Sequence, residues 1–295
     1  MKALIKTPVI VALSLAMLTA TSCKKRDTAV ADQDLPEAPN TESSSDNSKA
    51  DEMQTHVYTV VHTEVSNVEE QSFKTDGVTV PGDDCASVYV SLDTITYNAA
   101  QYIYVDSLII DYGYGNNCNW GERKKEGKII VTKNLKMSTP TSMTTVQLDS
   151  FYVDGYRLKG TATLENKGFN LNELTLKVTV NGGQIISPDK SQVSSFSTDR
   201  TIKIEYYPTK VFMKMYGTNN GVNHLGQSYT ATVLESEPLF FVYGCKYPQK
   251  GIVTITSTIA GGSTLKVDFS GGTGGCDNLA VVTLNGTKYK QTLGF

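Results

Sequence analysis

The chain has 295 residues, 19% of them charged, and its 27 Lys plus Arg nearly balance 30 Asp plus Glu. A net charge of -3 leaves no electrostatic footprint for nucleic acid, so that partner class is excluded first. The 16 tyrosines, with abundant Thr and Val, suit pleated half-buried surfaces better than helices, and strand is the expectation outside the N-terminus.

Residues 1–22 follow the tripartite plan of a secretory signal: basic Lys2 and Lys6, a mostly apolar run from Val9 to Leu18, then small Ala20, Thr21 and Ser22 before Cys23. The apolar run falls short of the ~20 residues a bilayer span needs. Small residues directly before a cysteine resemble the lipobox of bacterial lipoproteins, although Ala20 stands where a lipobox usually has Leu. The resemblance implies lipid (palmitate-type) attachment at Cys23, an anchor in the outer membrane and a body facing the periplasm or the cell surface. Residues 23–55 are poor in apolar side chains and rich in Asp, Glu, Ser and Asn, which predicts a flexible tether.

From residue 56 to 295 short runs with alternating apolar residues predict antiparallel strands, among them Val57–Val61, Ser87–Leu92, Leu174–Val180 and Gly251–Thr256. Asn181-Gly182, Gly261-Gly262 and Asn285-Gly286 have the residues that tight hairpin turns require. No helical periodicity is read beyond the leader. The expected fold is all-β, antiparallel, in a sandwich or an elongated meander, with related subdomain ends near 85–135 and 245–295.

Four cysteines remain once Cys23 is set aside. The segment from Leu108 to Cys118 echoes that from Leu265 to Cys276, and each follows a cysteine, Cys85 or Cys245, at a similar distance. Each pair is equidistant from a turn, near Asn98 to Gln101 and near Gly261-Gly262, which places its members together at the base of a hairpin. That argues for disulfides Cys85 with Cys118 and Cys245 with Cys276, in keeping with an exported protein. The Asp-aromatic-Gly-x-Gly run before Cys118, the segment from Tyr152 to Thr161, and Cys276-Asp277-Asn278 resemble uncharacterised Bacteroidota lipoproteins, which implies the same address and assigns no chemistry.

No Gly-x-Ser-x-Gly elbow, His-Glu-x-x-His helix or phosphate loop is present, and no catalytic residue, metal ligand or cofactor is assigned. His56 and His62 read as solvated bystanders. Asp111 and Asp268, at equivalent echo positions, are the candidates for a carboxylate pair; the simpler reading is that each fixes its following turn. Phe151-Tyr152, Tyr206-Tyr207 and Phe240-Phe241 each put one ring into the core and one outside, where it can meet a sugar. The favoured function is a non-enzymatic envelope-anchored β-rich binding or structural module that meets a glycan, a protein or a neighbouring envelope component, and the alternative is a carboxylate-based glycan hydrolase.

Overall fold

The computed structural model of the protein describes residues 35–39, 41–69, 78–81, 86–97, 100–115, 119–120, 123–135, 137, 139–170, 172–207, 210–242, 245, 247–257, 264–271 and 277–293. The leader, Cys23, Cys85, Cys118, Cys276 and Gly261-Gly262 lie outside the described residues.

A helix, α1 (Glu42–Glu69), precedes sixteen strands. These are β1 (Val78–Pro81), β2 (Ser87–Tyr97), β3 (Ala100–Asp111), β4 (Asn119–Trp120), β5 (Arg123–Lys133), β6 (Met143–Val153), β7 (Tyr156–Asn170) and β8 (Glu173–Ile186). They continue as β9 (Val193–Tyr207), β10 (Lys210–Val222), β11 (Ser228–Val233), β12 (Leu239–Val242), β13 (Ile252–Ser257), β14 (Thr264–Asp268), β15 (Leu279–Leu284) and β16 (Thr287–Thr292). The strands pair antiparallel in nearly sequential order, with β4 and β12 as side branches on β5 and β10. The all-β antiparallel expectation holds in its meander form. Short turns make this order natural: Asp154-Gly155 and Asn285-Gly286 take positive φ and close the β6–β7 and β15–β16 hairpins.

Helix α1 corrects two expectations. Residues 42–55, read as tether, and Val57–Val61, read as strand, are one continuous helix. Its apolar residues Ala50, Met53, Val57, Val61, Val65 and Val68 recur at three- or four-residue spacing and are all buried. Many of its polar residues are buried as well, including Asp46, Asn47, Asp51, Glu52 and Gln54, because the helix packs against strands from β3 to β13. A tether that is polar by composition therefore became a polar interior. Immediately upstream, 36–38 runs parallel to β16, with Ala38 N donating to Lys290 O and Lys290 N to Pro36 O, both at 2.9 Å.

Asn181-Gly182 is also corrected. It is no turn: β8 runs through it, and Gly182 at φ +63° absorbs a bulge where the β8–β9 register shifts. Beside it, Gly183, Phe196, Gly221 and Tyr229 are direct partners across β8 to β11. The Phe196 ring lies over Gly183 and the Tyr229 ring over Gly221, where an added Cβ would meet each ring at 2.4 Å. The bare glycines let two large rings fold flat inside the curled sheet. One buried apolar cluster extends from Ala50 on the helix to Leu293.

Candidate functional site

The interior is occupied by the protein's own helix. Arg123 Nη2 of β5 meets Glu52 Oε1 at 2.5 Å, and Arg200 Nη1 of β9 meets Asp51 Oδ1 at 2.5 Å. Further along, Asn219 Nδ2 donates to Asn47 Oδ1 at 2.8 Å, His224 Nδ1 lies 2.9 Å from Asp46 Oδ2, and Lys133 pairs with Glu69. Acidic groups on the helix thus answer basic groups on the inner sheet face. Burial raises the Asp51 carboxyl more than Arg200 and Asn47 lower it.

His56 and His62 are partly buried rather than free on the surface. Both lie on α1, and burial lowers their pKa values, with Lys125 and Arg123 adding to the effect at His56 and Glu69 opposing it at His62. His62 Nε2 contacts the Tyr206 hydroxyl. Among the described residues no group of His, Cys, Asp or Glu is arranged to hold a metal.

The two aspartates of the echo do the simpler job. Gly113 N donates to Asp111 Oδ1 at 2.9 Å, and Ser270 N to Asp268 Oδ1 at 2.8 Å, each closing the turn after its strand. Burial raises the Asp111 carboxyl, but the bonds from Lys128 and Gly113 and the charge of Lys128 outweigh it and keep it low. The sheet order separates the two residues, one on β3 and the other on β14. Cys245 is disulfide-bonded, and its partner lies outside the described residues.

The aromatic pairs divide as alternation requires. Phe151 and Phe241 are buried, Tyr206 packs against the core, and Tyr207 is 48% exposed. Two of the outward rings come together. Tyr207 meets Phe212 edge-on with centroids 5.4 Å apart, and Phe212 stacks with Phe240 at 5.2 Å. Lys250 Nζ caps the series, 4.6 Å from the Phe240 centroid. Phe212 went unread in the sequence because it has no aromatic neighbour; its alternation with buried Met213 and Met215 is the signal that places it outside.

Charged side chains interleave with these rings. Lys214 pairs with Glu205, and Lys203 Nζ lies 3.2 Å from Glu235 Oε1. Lys177 pairs with Asp199 on the same outer face. A transmembrane β-barrel shows an apolar band there. Among the described residues no helix is long and apolar enough to cross a membrane.

At the other end of β9 and β10 lies a trough of about 500 Å³ lined by Gln184, Ser195, Ser197, Asn220, Ser228 and Thr230, among others. Its aromatic members, Phe196 and Tyr229, are buried. The ring series of β9, β10 and β12 is therefore the candidate site. No protein-family model, curated protein or solved structure matches the chain.

Proposed function

We propose that this protein is an envelope lipoprotein, anchored through Cys23, whose outer sheet face binds a glycan without chemical conversion. The observation that carries the reading is the series Tyr207, Phe212 and Phe240 on the outside of a sheet whose inside is already filled by α1. Ring faces pack on the C–H faces of sugars, while neighbouring charged groups reach their hydroxyls. A protein partner fits less well, because the centre of a protein interface is depleted of charge. Here Lys214 and Glu205 sit among the rings. Disulfides Cys85 with Cys118 and Cys245 with Cys276 belong to the same proposal, since export makes them stable.

The clamp of 36–38 on β16 bears on how the anchor works. Only about thirteen residues separate Cys23 from Pro36, a reach of at most ~45 Å even if fully extended. A glycan array probed with the purified full chain in detergent tests the reading. Tyr207→Ala and Phe240→Ala should each weaken the bound glycan ~10-fold or more, the equivalent of ~1.4 kcal/mol. Tyr89→Ala, an exposed ring on β2, should leave binding unchanged. Retention of a protein partner instead of any glycan, lost in the same two variants, would replace the reading.

A further inference from the structure

The strand register arranges lysines in a way that folding alone does not favour. Lys203 of β9 is the direct partner of Lys214 of β10, Lys214 of Phe240 of β12, and Phe240 of Lys250. Direct partners point to one side of a sheet. Lys203, Lys214, Phe240 and Lys250 therefore form one transverse row on the outer face, about three strand spacings or ~14 Å long. Like charges directly opposite each other destabilise a strand pair.

The charge along this row is graded. At the β9 end, Lys203 is answered by Glu235 and Lys214 by Glu205, with Glu173 of β8 opposite Glu205. At the β12 end, among the described residues no carboxylate pairs with Lys250, whose ammonium rests over Phe240. Lys210, exposed, is the direct partner of Tyr207 at the far end of the ring series and likewise forms no ion pair among the described residues. The ring series thus begins beside one lysine and ends under another, neither of them ion-paired among the described residues.

Resting on the glycan reading above, we infer that the ligand of this face is a polyanionic glycan whose acidic groups, carboxylates or sulfates, meet Lys250 and Lys210 while its sugar rings stack on Phe240, Phe212 and Tyr207. Such a ligand supplies the counter-charge that Lys250 and Lys210 lack among the described residues. A neutral glycan does not. The anionic groups also make the affinity salt-dependent, because both lysines are open to solvent and are screened within ~10 Å at ~0.1 M salt.

The test uses matched polymers with the full chain: polygalacturonate against its methyl ester, and dextran sulfate against dextran, at ~20 and ~300 mM NaCl. Titration calorimetry should show one of the anionic polymers binding ~10-fold or more tightly than its neutral match, with most of the difference lost at high salt. Which anionic polymer binds identifies carboxylate or sulfate. The double variant Lys210→Gln/Lys250→Gln should bring the charged polymer down to its neutral match, and Phe240→Ala should weaken both. Equal binding of charged and neutral polymers, or binding of neither anionic polymer while other glycans bind on the array, overturns the inference and leaves the glycan reading standing. Anion binding insensitive to Tyr207→Ala and Phe240→Ala would mean attraction to charge alone and sink both. No glycan binding at all removes the parent reading.

Discussion

Asp199 and Arg200 are neighbours on β9, yet they belong to two different electrostatic worlds. Asp199 points out and pairs with Lys177, the side chains 65% and 35% exposed. Arg200 points in and pairs with Asp51 of α1, the side chains 1% and 4% exposed. Water solvates the outer pair whether or not its members meet. The inner pair has no such reserve: each member, once buried, depends on the other. The same contrast repeats across the molecule, with ion pairs holding the helix on the inner face and a charged, ring-bearing surface on the outer one.

The largest effect should come from breaking the inner pair. Asp51→Ala strands Arg200, whose Nε and Nη2 have no hydrogen-bond partner among the described residues, and should cost about 3–5 kcal/mol, read as a lowered urea midpoint. A smaller loss, under ~1 kcal/mol, would mean that α1 yields its place easily and that the buried pairs are not what keeps it inside.

A middle-sized effect should follow pH. The folded-state pKa values of His56 and His62 are lowered below 6.5, so as pH falls through that value the unfolded chain takes up protons that the folded one refuses. Stability should therefore drop on acidification from above pH 6.5 towards the lowered values, by up to ~1.4 kcal/mol per pH unit for each histidine. Asp51 has the opposite sign, because its raised pKa lets the folded state bind a proton first and relieves the cost of its burial. Denaturation curves across this range should steepen the loss in the wild type and flatten it in His56→Gln. The same pH dependence in the wild type and in His56→Gln would place His56 in contact with water. The smallest effect belongs to the outer pair: Asp199→Asn should shift the midpoint by less than ~1 kcal/mol and vanish in high salt.

Much of the sheet was legible because alternation is a local signal. Ser87–Leu92, Leu174–Val180 and most of Gly251–Thr256 fall inside β2, β8 and β13, and Asn285-Gly286 makes its predicted turn. The candidate site was partly legible: alternation requires one ring of each pair to face outward, but only the structure shows that these are Tyr207 and Phe240, and only the β9–β10–β12 register brings them to Phe212. Helix α1 was misread although its apolar spacing of threes and fours is present in the sequence. Val57, Thr59 and Val61 also fit a strand, and β-branched residues favour one.

By itself the sequence determined several of the strands, the Asn285-Gly286 turn, the Asx-closed ends at Asp111 and Asp268, and that one ring of each aromatic pair faces outward, since all of these depend on neighbours a few residues apart. Tertiary structure decided the rest. A polar segment cannot show in its composition whether it will be solvated by water or by Arg123, Arg200, Asn219 and His224 arriving from distant strands. Nor can separate lysines show that they will stand in one row. Both depend on which strands become neighbours, and that is settled only when the sheet assembles and packs against the helix.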